Sequence, residues 1–167
     1  MDGARRPLVI CYGNRLRSDD GVAWQVADRL TGDVGLAGVD VICRHQLTPE
    51  LAEDVSRARR VIFVDAAAGG TPGTVRHAAL VAPAGDVNFA AWSHDLTPAR
   101  LAGLAVTIFG RVPPLDVVTV AAGSFAVGED LSAPVAAAVE AAAGAVAGLA
   151  AAGPGVTIGR APRADQP

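Results

Sequence analysis

The chain has 167 residues, of which 51% are hydrophobic and 19% charged, with a net charge of −3. That length fits one domain, and the composition excludes a disordered chain or a coiled coil. The slight acidity gives no basic face for nucleic acid.

Aromatic residues are only 4% of the chain, so the core is expected to be aliphatic. Residues 7–11 read as a short buried strand, and residues 12–18 as a polar turn around Gly13 and Asn14. Val22, Val26 and Leu30 recur on one face of a helix over 21–30. Residues 39–43 form a second strand. Thr48 and Pro49 then open a helix as N-cap and first helical residue, with Leu51, Ala52 and Val55 inward. A third strand over 60–64 ends at Asp65, and a glycine-rich turn follows. Residues 74–81 read as an edge strand and 83–95 as irregular. Thr97-Pro98 opens a further helix with Leu101, Leu104, Ala105 and Ile108 inward, and 116–121 is a strand. The last helix starts at Ser132-Ala133-Pro134 and carries Val135, Val139, Val146 and Leu149.

Strands alternating with amphipathic helices imply a single-domain α/β fold: a three-layer sandwich with a mostly parallel sheet covered on both faces. The domain spans 1–152, and 153–167 reads as a disordered tail. The apolar stretch 133–152 is mostly alanine and glycine with Glu140 inside, which favours a helix packed on the sheet over a membrane span. The N-terminal residues lack an apolar export signal, which points to the cytoplasm. Cys11 and Cys43 lie in strand-like runs and read as inert buried thiols.

In a parallel sheet the working crevice lies at the carboxyl ends of the strands. Asp19-Asp20 follow the first strand, Asp65 ends the third, and His94 precedes a helix. Two carboxylates and an imidazole suit a divalent ion such as Zn²⁺, Ni²⁺ or Mn²⁺, and three protein ligands leave a position open. Each residue also has a plainer reading: a capping Asp-Asp pair, a turn-capping Asp65, a solvated His94. Asp19 either orients its neighbour, accepts a proton or caps the helix. Ser124 lacks the flanking glycines of a nucleophile elbow. Gly13-Asn14-Arg15 lacks the lysine of a phosphate loop, which leaves a nucleotide-binding module a weak reading.

Gly13-Asn14, four residues, then Asp19-Asp20-Gly21-Val22; Val64-Asp65-Ala66 with Pro72-Gly73-Thr74-Val75; and Ser93-His94-Asp95-Leu96 occur in this order. The ordered set, from about Pro7 to Leu149, resembles the hydrogenase maturation endopeptidases. That resemblance implies a five-stranded sheet and a metal-dependent endopeptidase. The enzyme would cut a C-terminal peptide from the nickel-loaded large-subunit precursor of a nickel-iron hydrogenase, acting as a monomer. It places the metal ligands on Asp20, Asp65 and His94. The metal would be nickel carried by the substrate, with zinc or cadmium able to replace it in a purified sample. His45-Gln46-Leu47 resembles the form found in proteases of bidirectional, NAD-linked hydrogenases, so these residues, with Asn14, are expected to contact the substrate. The alternative for His45-Gln46-Leu47 is a loop whose Leu47 packs on the core. Two departures stand out: Cys11 replaces a family glycine and is expected to crowd the turn near Tyr12, and the Gly123–Glu129 segment lacks the family's proline. A non-proteolytic, metal-dependent assembly factor is the alternative function.

Overall fold

The structure is a computed structural model that describes residues 5–83 and 96–153. Among the described residues the elements are β1 (Pro7–Tyr12), α1 (Val22–Thr31), β2 (Asp40–Arg44), α2 (Leu51–Arg57), β3 (Arg60–Ala67), β4 (Val75–Leu80), α3 (Pro98–Phe109), β5 (Leu115–Ala121) and α4 (Ala133–Ala151). They form a five-stranded sheet in the order β2-β1-β3-β5-β4. β2, β1, β3 and β5 run parallel, and β4 lies antiparallel at the edge beside β5.

Leu8 to Cys11 in β1 and Val61 to Val64 in β3 are buried on both faces, because α1 and α4 cover one side of the sheet and α2 and α3 the other. Strand alternation divides them. Val9, Cys11, Ile62 and Val64 join the α1/α4 layer; Leu8, Ile10, Val61 and Phe63 join the α2/α3 layer. The chain leaves β1 for β2 on one side and later adds β3 on the other. The order therefore reverses between β1 and β3, and a crevice opens at their carboxyl ends.

Helix α4 is long and apolar enough to cross a membrane by length and composition. Its stripe of Val135, Ala138, Ala142, Ala143, Val146 and Ala150 is buried in the α1/α4 layer, as the alanine-rich sequence implied. Arg59 donates to Ala150 O and Ala152 O, satisfying carbonyls at the end of this helix.

Helix α3 starts as the sequence indicates: Thr97 Oγ1 accepts from Arg100 N–H, and Pro98 occupies the first turn. Three expectations need correction. Ile108 is 56% exposed and is not part of the inward stripe of α3. Helix α2 begins at Leu51 with Glu50 as its N-cap and no side-chain cap bond. Thr48 and Pro49 form a lead-in turn whose carbonyls accept from Leu51 and Ala52. β3 continues past Asp65 to Ala67, because β5 pairs with it through Asp65↔Thr119, Ala66↔Val120 and Ala67↔Ala121. The expected tail beyond Gly153 and the irregular stretch after Pro83 lie outside the described residues.

At the opposite end of the sheet, Arg60 and Asp116 form a buried ion pair, and His77 Nε2 meets the second Asp116 oxygen at 2.8 Å. A buried charge that loses its partner is strongly destabilising, whereas replacing both charges by apolar groups is often neutral. Arg60→Met should cost about 3 kcal/mol in urea unfolding, and adding Asp116→Leu should recover most of that loss. Equal stabilities of wild type and the single variant would show that the pair contributes nothing.

Candidate active site

The loop after β1 is folded by its backbone. Gly13 has φ +145°, and a Cβ there would lie 2.1 Å from Asp20 O. Only glycine lets the two segments approach this closely. Trp24 Nε1 donates to Gly13 O at 2.9 Å, and Arg15 stacks over the Trp24 ring at 5.2 Å. Asn14 Oδ1 accepts from Leu16 N–H at 2.9 Å, a local Asx turn that turns the chain toward Ser18. Asn14 N–H donates to Asp20 Oδ2 at 2.8 Å, which aims this carboxylate back over the end of β1.

Asp19 points the other way and is fully buried. Its Oδ2 accepts from Gly123 N–H (2.7 Å), Ser124 N–H (2.9 Å) and Ser132 Oγ–H (2.8 Å), and its Oδ1 accepts from Ser132 N–H (2.7 Å). Asp19 N–H donates in turn to Ser124 O, and Ser18 N–H to Gly128 O. Burial raises the Asp19 pKa, but these hydrogen bonds outweigh it and hold the carboxyl below its ordinary value. Asp19 is thus a clamp between the loop after β1 and the loop after β5. Its oxygens are engaged by donors of the segment after β5.

Asp65 emerges where β3 passes the end of β1. Its Oδ1 accepts from Ala66 N–H at 2.8 Å, and Tyr12, one residue past the Cys11–Val64 pair on the neighbouring strand, brings its hydroxyl near enough to favour the ionised carboxylate. Burial pushes the Asp65 carboxyl up to about 6; the nearby Asp20 charge adds to the rise, and the two hydrogen bonds oppose it. Burial, the Asp65 charge and the hydrogen bond to it all raise the Tyr12 phenol, which stays protonated as a donor. Two carboxylates thus share one crevice at the reversal of strand order, one of them raised close to neutrality. A divalent cation held between the two would relieve their repulsion. Carboxylate oxygens with an imidazole are a fitting donor set for such an ion.

Several solved structures share this architecture. The NiFe hydrogenase maturation protease HycI from Thermococcus kodakarensis is 25% identical, with 88% of this chain and 93% of that chain covered and a TM-score of 0.64. The maturation protease HybD from the same organism is 22% identical, covers 87% of this chain and 99% of its own, and gives 0.65. The hydrogenase maturating endopeptidase HybD from E. coli is 23% identical over 84% and 89%, with 0.63. The chain has the fold of the hydrogenase maturation proteases. No family model and no curated protein matches the sequence. The motifs read as resembling the maturation proteases are thus met by a structural likeness over most of the chain.

Within this fold, Asp20 lies near enough for its charge to raise the Asp65 carboxyl. His94 lies outside the described residues. Among the described residues no group of three or more His, Cys, Asp or Glu is placed to hold a metal. His45 and Gln46 are exposed after β2, at the same edge of the sheet, whereas Leu47 is 5% exposed and packs in the α2/α3 layer. Leu47 therefore packs in the core, which matches the plainer reading of this loop. Ser124 Oγ accepts from Ala126 N–H, a turn role that agrees with setting it aside as a nucleophile.

Cys11 does not crowd Tyr12, because alternation sends their side chains to opposite faces of the sheet. It lies directly opposite Cys43 in the β1/β2 register. The Cys11 thiol donates to Cys43 and, despite partial burial and Asp28, pulls the Cys43 thiol down to about 7, helped by Arg15 and Arg44. Cys11 fits the expectation of an inert core thiol; Cys43, half-buried, does not. Tyr12 is the site residue that the sequence reading missed. Its place as last residue of the strand before Gly13-Asn14 was the available signal.

The two carboxyls give opposite pH dependence. A depressed folded pKa, as for Asp19, adds stability that is present above the ordinary carboxylate value and lost as pH falls through the folded pKa. Asp19→Ala should cost about 3–4 kcal/mol in chemical unfolding at pH 7, and the loss should shrink in strong acid. A raised folded pKa, as for Asp65, lowers stability as pH climbs from about 4 to 6. Asp65→Asn should therefore raise the melting temperature at pH 7.5 and leave it nearly unchanged at pH 3.5. A lower melting temperature at pH 7.5 would show that ionised Asp65 is not under strain.

Proposed function

We propose that this chain is an endopeptidase that removes a C-terminal peptide from the nickel-loaded large-subunit precursor of a nickel-iron hydrogenase. One observation carries the reading: Asp20 and Asp65, from two separate motifs, meet in one crevice of a fold shared with several maturation proteases. Asp20, Asp65 and His94 would hold the nickel that arrives with the substrate. A divalent ion so held polarises a scissile carbonyl or a water. The chain's own part is to fix the two carboxylates at the ends of β1 and β3. Asn14 sets Asp20 through its backbone N–H, so its side chain contributes to the site by folding the loop.

His45 and Gln46 form an exposed rim beside this crevice and are the residues we assign to partner choice. Their resemblance to the bidirectional, NAD-linked type supports a hydrogenase of that class as the partner. The protein would act as a monomer in the cytoplasm.

Intact mass spectrometry of a large-subunit precursor mixed with the protein, with and without nickel, tests the proposal. A C-terminal peptide should be lost from the nickel-loaded sample only. Asp20→Ala and His94→Ala should abolish processing without unfolding the domain. Stable association with the precursor and no mass change would instead identify a non-proteolytic assembly factor.

A further inference from the structure

We infer that Tyr12 is a positioning residue of this site: its hydroxyl fixes the orientation in which Asp65 presents its carboxylate to a divalent cation. The inference rests on the reading of Asp65 as a metal ligand and extends it to a residue outside the motifs. β1 and β3 pair in parallel with Cys11 opposite Val64, so the next residues, Tyr12 and Asp65, stand side by side. Cys11 and Val64 both face the α1/α4 layer, and alternation turns Tyr12 and Asp65 together to the other face.

The Tyr12 ring packs against the buried residues of the α2/α3 layer. Its hydroxyl is therefore delivered from a rigid strand end by a side chain with only two torsions to fix. Asp65 needs such a partner. A carboxylate on one backbone hydrogen bond, here Ala66 N–H at 2.8 Å, still rotates about its Cβ–Cγ bond. A second donor from the neighbouring strand fixes the plane of the carboxylate and leaves its remaining lone pairs free for a cation. Groups that hydrogen-bond a ligating carboxylate in this way typically change metal affinity or activity 10–100-fold when removed.

Tyr12→Phe removes the hydroxyl and keeps the packed ring. With Zn²⁺ as the probe in calorimetric titration, we expect the Kd of Tyr12→Phe to rise about tenfold or more. Melting should stay within about 2 °C of wild type, since one partly exposed hydrogen bond is lost. In an Asp65→Ala background the same substitution should change the Kd less than about twofold, because Tyr12 acts through Asp65. Cleavage of the nickel-loaded precursor should slow in parallel, by about 10–100-fold in kcat/KM. An unchanged Zn²⁺ Kd, or an equal loss with and without Asp65, overturns the assignment and leaves Tyr12 a packing residue. Wild-type protein that binds Zn²⁺ but never cleaves the precursor defeats the protease reading alone, and the Zn²⁺ cycle then decides Tyr12 by itself.

Discussion

The Asp19 carboxylate takes up four hydrogen bonds, three from backbone N–H groups of the segment after β5 and one from a serine hydroxyl. The rest of the crevice depends on this contact. A buried charge is tolerated only when its lone pairs are satisfied, and here satisfying them joins two loops far apart in sequence. Ser18, with φ +47° in the left-handed region, and the pairing of Arg17 with Gly128 belong to the same junction. Asp20 is the next residue along. Its placement follows from Asp19 being pinned on one side and Gly13 pressing against its carbonyl on the other.

Asp19 and Asp65 show how one small crevice gives two carboxyl groups opposite characters. Asp19 is surrounded by donors and is stable as an anion. Asp65 has two donors against burial and a nearby like charge, so its anion is the costlier of the two. Groups pushed apart in this manner divide structural from chemical duty within one site. Adjacent aspartates in the sequence follow the same division: Asp19 faces inward to hold loops, and Asp20 faces the crevice.

Much of this was legible in the residues. The aliphatic runs of β1 and β3, the 3.6-residue stripe of α1 and the Thr97-Pro98 start of α3 are local signals, and the structure follows them. Asp20 and Asp65 were legible too, because strand ends mark the crevice of a parallel sheet. What escaped was set by distant partners. The extension of β3 to Ala67 depends on β5, more than 45 residues away in sequence. The duty of Asp19 depends on Gly123 and Ser132, and that of Tyr12 on the register between β1 and β3. Leu47 looks like part of an exposed box with His45 and Gln46, yet packing of α2 against the sheet draws it inside.

The likeness to solved proteases persists at 22–25% identity, and the two kinds of constraint explain how. A core of valine, leucine, isoleucine and alanine tolerates exchange as long as volume and alternation are kept. The crevice rests on contacts without such latitude. At Gly13 any side chain would collide with the Asp20 carbonyl, and the backbone there adopts a conformation that L-residues rarely reach. Replacing the core changes stability by degrees, but replacing Gly13 or Asp19 moves the loop that carries Asp20. The separation between Asp20 and Asp65 is thus fixed by backbone contacts and one buried anion, and not by the side chains that fill the sandwich.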